Sequence, residues 1–135
     1  MPQNDPEVYV KATIAIPKQT ASIESFDAIT TDTATANGQK VLTITGLNYL
    51  PSGVVNERMT ITIPNFTGAG TFGFGHEQAI PFAEAVYFLD GRGTSYATSG
   101  TVTITTSKET MSGTFSFTCN DSVKLDNGTF SMPRL

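Results

Sequence analysis

The sequence predicts an all-β domain, an antiparallel β-sandwich of about 8–10 short strands that ends in a three-strand meander. Threonine alternates with aliphatic residues in runs such as 60–63 and 101–105, a pattern typical of strands with one buried face. Turn signals recur about every 8–12 residues, and almost no stretch has helical spacing. A closed meander barrel of the lipocalin type fits the same pattern and stays open as the alternative.

Size and composition indicate one folded domain. The chain has 135 residues, of which 39% are hydrophobic and 15% charged, enough for one hydrophobic core. Residues 1–7 are polar and contain two prolines, so we expect a flexible tail followed by a single domain over 8–135. The net charge of −4 opposes nucleic-acid binding, which needs clustered lysine and arginine.

The N-terminal part predicts one clear strand and one ambiguous segment. Aliphatic residues occupy alternate positions over 8–16, and Pro17 ends that strand. Residues 18–38 combine a loose helical spacing of apolar side chains with a threonine-rich stretch, which indicates a short helix or an irregular segment. Asn37-Gly38 marks a tight turn, because both residue types tolerate positive φ, and a strand follows over 41–45.

The middle of the chain predicts three further strands. A turn at 51–53 precedes residues 58–63, which alternate apolar side chains with threonine. Phe72 and Phe74 share one face of the next strand. The segment 85–89 is apolar at every position, which is typical of a central strand covered on both faces.

The last part of the chain predicts the meander. A turn over 90–93 leads to a short strand at 95–97 and a longer strand at 101–106. The polar residues 107–110 then supply a hairpin loop. Because only short loops separate the strands over about 100–132, we expect those strands to be neighbours in the sheet.

The side-chain phase of the final two strands predicts a bulge. Apolar residues of the strand over 111–119 share one phase, which places Cys119 inside the domain. In the next strand the inward phase changes from odd to even positions between Leu125 and Phe130. An extra residue at Asn127-Gly128 explains that change, so we predict a β-bulge there, with the glycine supplying the permissive backbone.

A particular order of motifs marks the C-terminal half. Tyr96 precedes Gly-Thr-Val-Thr-Ile-Thr at 100–105, Ser-Gly-Thr-Phe-Ser-Phe-Thr at 112–118 and Asn-Gly-Thr-Phe-Ser at 127–131. This order resembles domain-of-unknown-function families of small exported lipoproteins from Bacteroidota. Further parts of the pattern are found at 42–46, at 70–72 and at Tyr87, so the resemblance covers most of residues 40–132, whereas the N-terminal part matches poorly.

The resemblance implies a location more than a chemistry. It implies an all-β domain carried beyond the inner membrane, usually behind a lipidated cysteine that precedes the domain. It carries over no catalytic residue and no ligand residue. We therefore expect a periplasmic or outer-membrane-anchored protein that contacts the membrane only through such a lipid anchor.

Four residues are candidates for contact with a ligand: His76, Tyr87, Arg92 and Tyr96. His76, Arg92 and Tyr96 lie in or near predicted turns, where aromatic and cationic side chains commonly recognise sugars or proteins. Tyr87 belongs to the apolar segment 85–89, where it either lines a cavity or packs in the core.

No residue pattern predicts catalysis or a metal site. Nucleophilic catalysis needs a base beside serine, threonine or cysteine, and His76 is the only histidine. One histidine and one cysteine do not make a zinc site, and no run of carboxylates has the spacing of a calcium loop. We therefore assign no catalytic residue, no metal ligand and no cofactor.

The function that these features favour is that of a non-enzymatic, exported domain of the cell envelope. Its expected partner is a glycan, a small apolar ligand or another envelope protein. Two alternatives stay open. One is an enzyme that processes glycans with carboxylates alone. The other is a structural or assembly module, which a flat apolar patch or an open sheet edge would identify.

Overall fold

The fold consists entirely of β-strands and their connections. The computed structural model describes residues 8–75 and 81–133, and within these ranges it contains ten strands and no helix. The all-β class and the predicted strand number are confirmed, whereas the tail predicted at 1–7 lies outside the described residues. The strands are β1 (Tyr9–Ala15), β2 (Ser22–Ser25), β3 (Ala28–Ala36), β4 (Gln39–Tyr49), β5 (Val55–Ile63), β6 (Gly70–Phe74), β7 (Phe82–Leu89), β8 (Gly93–Thr106), β9 (Thr110–Cys119) and β10 (Lys124–Pro133).

All ten strands belong to one curled sheet in the shape of a half-barrel. Their order is β2-β1-β10-β9-β8-β6-β7-β5-β4-β3, and β6 and β7 form the one parallel pair among the described strands. Both halves of the sheet contribute to a single core, for example Ile14 of β1 and Ile61 of β5. The two layers expected of a sandwich are therefore two parts of the same sheet. The predicted meander is confirmed, because β8, β9 and β10 are neighbours.

Strand β8 connects the two halves of the sheet. Its first residues, 93–96, pair with β7, and residues 97–106 pair with β9. The register with β9 shifts between Ala97 and Ser99, and on its other edge β8 pairs with β7 over 93–96 and with β6 over 101–104. The separate strands predicted at 95–97 and 101–106 are therefore one bent strand, because the residues between them continue the strand through an irregularity at Thr98 rather than forming a loop.

The segment 18–38 differs from its prediction. A helix or irregular stretch was expected, but the structure contains β2 and β3 there. The apolar spacing was misleading, since Ile23 is 79% exposed, Phe26 is buried and Ile29 packs at the margin of the core. The threonines over 30–35 follow their usual preference for strands. Asn37 and Gly38 have φ values of 53° and 78°, which confirms the predicted turn between β3 and β4.

A two-residue corner joins the two edges of the sheet. Strands β2 and β3 occupy opposite ends of the strand order, yet only Phe26 and Asp27 separate them. The Phe26 amide donates to the Val10 carbonyl at 2.9 Å, and the Phe26 ring lies against Gly46, where any Cβ would be 2.7 Å from the ring. The chain thus passes directly from one edge of the sheet to the other at this corner. Among the described strands β3 pairs with β4 alone, so the outer edge of β3 is open.

The bulge predicted in β10 is confirmed, but the roles of Asn127 and Gly128 in it differ from the prediction. The register of β10 against β9 shifts between Leu125 and Gly128. Asn127, not Gly128, adopts the left-handed conformation, with φ of 52°. Gly128 is needed for another reason, because a Cβ there would lie 2.4 Å from the Phe115 ring. The bulge restores Phe130 to the inward face, as the phase argument required.

Burial follows the predicted phases with two exceptions. Cys119 and the other apolar residues of its phase are buried, as predicted. Val8, predicted inside, precedes β1 and is 49% exposed. Strand β7 was expected to be covered on both faces, but only its inward side chains, such as Tyr87, are buried, whereas Val86 and Phe88 on the outer face are half-buried.

Candidate functional site

Two of the four candidate residues, Tyr87 and Tyr96, lie on opposite faces of the sheet. Tyr87 points into the core, whereas Tyr96 lies on the outer face of β8 and is 57% exposed. Val86 is the partner of Tyr96 in the pairing of β7 with β8, and adjacent side chains in a strand alternate between faces. Tyr87 and Tyr96 therefore belong to different sites. His76 lies outside the described residues, although its chain neighbour Gly75 is described.

The first site is a groove on the outer face of β7 and β8, here called the outer groove. Its volume is about 490 Å³. Phe82 and Tyr96 are its aromatic residues, and their side chains remain 39% and 57% exposed. Glu84 is the one ionisable carboxyl of its described lining. The complete described lining is Gly75, Phe82, Ala83, Glu84, Ala85, Val86, Tyr96, Ala97 and Thr98.

The turn between β9 and β10 fixes Arg92 and the start of β8. Arg92 Nη2 donates to Asp121 Oδ2 at 3.2 Å, and Ser95 Oγ donates to the same oxygen at 2.5 Å. The Tyr96 amide donates to Asn120 Oδ1 at 3.1 Å. Arg92, in the turn between β7 and β8, is thus engaged with the turn between β9 and β10, and the latter turn also holds the backbone of Tyr96 in place beside the outer groove.

The carboxyl of Asp121 is the centre of this turn. Partial desolvation acts to raise its pKa, but hydrogen bonds from Ser95 and Val123 and the charge of Arg92 outweigh desolvation and lower the pKa. Asp121 therefore remains a carboxylate at neutral pH. This role agrees with the sequence, where an Asn-Asp-Ser stretch is typical of a turn.

The second site is a cavity beside the Phe26–Asp27 corner, here called the corner pocket. Its volume is about 220 Å³, and residues of β1 and β2 face residues of β4, β5 and β7 across it. Glu57 is 5% exposed and lines this pocket together with Tyr87. The complete described lining is Ile14, Ile16, Gln19, Ser22, Glu24, Asn48, Asn56, Glu57, Tyr87 and Leu89.

A chain of hydrogen bonds leads from the corner to Glu57. The Asp27 amide donates to Asn48 Oδ1 at 2.8 Å, and Asn48 Nδ2 donates to Glu57 Oε1 at 3.0 Å. The Tyr87 hydroxyl donates to the other oxygen, Glu57 Oε2. Each oxygen of this buried carboxyl therefore has a donor, as a buried polar group requires.

Burial perturbs both ionisable groups of the corner pocket. Desolvation raises the pKa of Glu57, the hydrogen bonds from Tyr87 and Asn48 offset part of that rise, and the negative charge of Glu24 adds to it. Desolvation also raises the pKa of Tyr87, and the hydrogen bond to Glu57 raises it further. Perturbed pKa values in a cavity are typical of functional sites, although buried structural networks show them too.

The sequence contains a signal for Glu57 in the inward phase of β5. Glu57 has the same phase as Met59, Ile61 and Ile63, the buried residues of β5. A glutamate on the inward face of a strand is rarely buried without a partner. Glu57 can therefore be placed on the inward face by following the alternation of β5 two residues back from Met59. Its hydrogen-bond partners Tyr87 and Asn48 can be recognised only in the folded chain.

The described residues contain neither a cluster of metal-binding side chains nor a membrane-spanning helix. No group of three or more histidine, cysteine, aspartate or glutamate side chains is placed to hold a metal ion within 8–75 and 81–133. Over the same ranges, no helix is long and apolar enough to cross a membrane.

Comparison with known proteins identifies a family without an assigned activity. A family profile described as "Domain of unknown function (DUF6252)" matches residues 19–132. The match includes the segment 18–38 almost entirely, which the resemblance noted from the C-terminal motifs did not cover. No curated protein and no solved structure matches the chain. Because the profile spans most of the sequence, the chain belongs to the DUF6252 family of domains of unknown function.

Proposed function

We propose that this protein is a non-enzymatic binding module that recognises a glycan in the outer groove. The observation that carries the proposal is the pair of exposed aromatic side chains, Phe82 and Tyr96, beside the carboxyl of Glu84. Sugar rings present C–H groups that pack on aromatic faces and hydroxyl groups that donate to carboxylates. A groove of about 490 Å³ lies within the usual size range of ligand sites, roughly 300–1,000 Å³.

The strands that carry the two aromatic rings support recognition. The backbone amide of Tyr96 in β8 is held by a hydrogen bond to the Asn120 side chain, and Phe82 is the first residue of the neighbouring strand β7. A ligand that packs on a preformed surface loses less free energy to the ordering of side chains than one that binds mobile loops. The strands that carry Phe82 and Tyr96 are therefore suited to a weak but selective contact with a ligand.

The carboxyl content of the groove supports binding rather than hydrolysis. Glycosidases that work with carboxylates use two of them, about 5–9.5 Å apart across the scissile bond. Glu84 is the one carboxyl in the described lining of the outer groove. Among the described cavities, the corner pocket has two carboxyl groups, those of Glu57 and Glu24, but its volume of about 220 Å³ leaves little room for linked sugar rings.

Location in the cell envelope is part of the same proposal. The C-terminal motif order, which resembles exported lipoproteins, is the feature that supports it. Fractionation of cells that produce the full-length protein tests this part separately. Recovery with the envelope fraction is expected, and recovery with the cytosol would contradict the proposed location without bearing on the groove.

The binding test uses two tyrosines that are similarly exposed. A glycan array identifies the best ligand, and titration calorimetry then compares Tyr96→Ala with Tyr49→Ala. Tyr49 is 48% exposed but does not line the outer groove, so its removal controls for the loss of any surface aromatic ring. We expect at least a 10-fold loss of affinity for Tyr96→Ala and none for Tyr49→Ala. Equal affinities for the two variants, or an array without a ligand, would overturn the proposal.

A further inference from the structure

The corner pocket has a polarity that the proposed function does not use. Two carboxyl groups, Glu57 and Glu24, line it, and its described lining contains no lysine, arginine or histidine. Ile14, Ile16 and Leu89 provide an apolar part of the wall. We propose that the corner pocket binds a primary ammonium group carried on a short alkyl chain.

Three of the hydrogen-bond donors in the pocket are committed to the two carboxyl groups. Tyr87 and Asn48 donate to Glu57, and Ser22 Oγ donates to Glu24 Oε1 at 3.0 Å. An entering ligand therefore meets carboxyl oxygens whose remaining lone pairs accept hydrogen bonds. A primary ammonium group has three donors and no acceptor, which complements this arrangement better than a hydroxyl group does.

The positive charge of an ammonium group compensates the negative charge of the buried Glu57 carboxylate. Glu57 is 5% exposed, and removing a carboxylate from water is costly unless a cation accompanies it. Burial raises the pKa of Glu57, and the facing Glu24 adds to that rise. The positive charge of Arg92 acts to lower the pKa of Tyr87, but Arg92 is already paired with Asp121.

The size of the pocket selects the class of ligand. A volume of about 220 Å³ is below the roughly 300–1,000 Å³ of typical cofactor sites, so the ligand is small or is one side chain of a larger molecule. A butyl chain reaches along Ile14, Ile16 and Leu89 while its ammonium group meets Glu57 and Glu24. The same chemistry occurs in a free alkylamine and in the side chain of lysine.

The experiment measures the affinity of the full chain for n-butylammonium by NMR titration at pH 7.5 and low ionic strength. Glu57→Gln keeps the size of the side chain and removes the carboxylate, and we expect it to lower the affinity at least 10-fold. Glu84→Gln removes one carboxylate from the outer groove and is expected to bind as the wild type does. 1-Butanol, which has the same alkyl chain and no charge, is expected to bind at least 10-fold more weakly than n-butylammonium.

A second variant covers the case in which Glu57→Gln does not fold. Glu24 lies on the short edge strand β2 and is half-buried, so Glu24→Gln disturbs the core little, and we expect a 3-fold or greater loss of affinity. Binding is also expected to release protons near the raised pKa of Glu57, since the ammonium group favours the carboxylate. Wild-type affinity in both glutamine variants, or equal binding of 1-butanol, would overturn the proposal.

Further arms identify the source of the ammonium group and separate this site from the outer groove. Nα-acetyl-lysine methylamide is compared with n-butylammonium. Tighter binding of the lysine derivative points to a protein partner, and tighter binding of n-butylammonium points to a free amine, both being forms of the proposed chemistry. Tyr96→Ala is expected to leave amine affinity unchanged, so failure of glycan binding and failure of amine binding are distinguishable. A loss of amine affinity in Tyr96→Ala equal to that in Glu57→Gln would contradict a separate corner site.

Discussion

The backbone of Gly128 packs directly against the ring of Phe115, the residue opposite it in the pairing of β10 with β9. A Cβ on Gly128 would lie 2.4 Å from Phe115 Cε2, closer than real Cβ contacts. Phe115 in turn stacks on Phe117 and Phe130, with ring centroids 6.2 and 6.4 Å apart. The absence of a side chain at Gly128 is therefore what allows this row of rings to fill the core.

Gly128→Ala is expected to destabilise the protein by about 1–3 kcal/mol, because the added methyl group displaces the Phe115 ring. Urea unfolding followed by circular dichroism measures the loss. Phe115→Leu shortens the opposing side chain, so the double variant should lose less than the sum of the two single variants. Strict additivity of the two losses would show that the methyl group and the ring do not meet.

Asn127 supplies the left-handed residue of the bulge, and its substitution separates backbone strain from packing. The side chain is exposed, so its removal costs little core contact. Asn127→Val should destabilise by about 1–3 kcal/mol, because a β-branched residue resists φ of 52°. Asn127→Gly is the matched control and should remain within about 0.5 kcal/mol of the wild type. Equal urea midpoints for the valine and glycine variants would contradict the assignment.

The bulge also shows how far the sequence alone leads. A change of inward phase between Leu125 and Phe130 is visible in the order of residues, because side chains alternate strictly along a strand. Which residue carries the positive φ is not visible there, since Asn and Gly both tolerate it. The Phe115 ring of the neighbouring strand excludes a Cβ at position 128, and such contacts between strands have no signature within either strand.

The corner at Phe26–Asp27 was beyond sequence reasoning for a similar reason. The spacing of Ile23, Phe26 and Ile29 resembles one face of a helix, but the chain there turns from one sheet edge to the other. The decisive partners are Val10, which accepts from the Phe26 amide, and Asn48, which accepts from the Asp27 amide. Long-range partners of this kind override local spacing.

The outer groove and the corner pocket also differ in how far the sequence predicts them. The residue type of Tyr96 and its place near a turn make it a candidate, and the structure places it in the lining of a groove. Tyr87 is a candidate too, but its hydrogen-bond partner is Glu57, which carries no local motif. A buried carboxyl acquires chemical meaning from its burial and its donors, so only the inward phase of β5 hinted at it.

Cys119 provides a test of core integrity through its reactivity. It is buried, and desolvation raises the pKa of its thiol to about 12, so little thiolate is present at pH 8. The folded protein should react with an aromatic disulfide reagent at least 100-fold more slowly than the protein unfolded in urea. Because Cys119 is the only cysteine, the absorbance change reports on it alone. Comparable rates in the folded and unfolded states would contradict its position inside the sheet.

The ionisation of Glu57 predicts a pH dependence of stability with a definite sign. Its pKa is raised in the folded state above the ordinary value of 4.5, so the folded protein holds this proton where the unfolded chain has released it. Stability from this group is therefore complete below pH 4.5 and declines as the pH rises through the folded-state pKa.

Glu57→Gln resembles the neutral acid, since its carbonyl can accept from Asn48 and its amide can donate to the Tyr87 oxygen. We expect the free energy of unfolding of the wild type to fall relative to that of Glu57→Gln between pH 4.5 and 7.5, as measured by urea unfolding at each pH. Glu84→Gln is the control, because it removes an exposed carboxyl and leaves Glu57 in place, so the fall in stability that Glu57 causes should persist. A difference between the wild type and Glu57→Gln that is constant across this range would show that Glu57 does not gain affinity for its proton on folding.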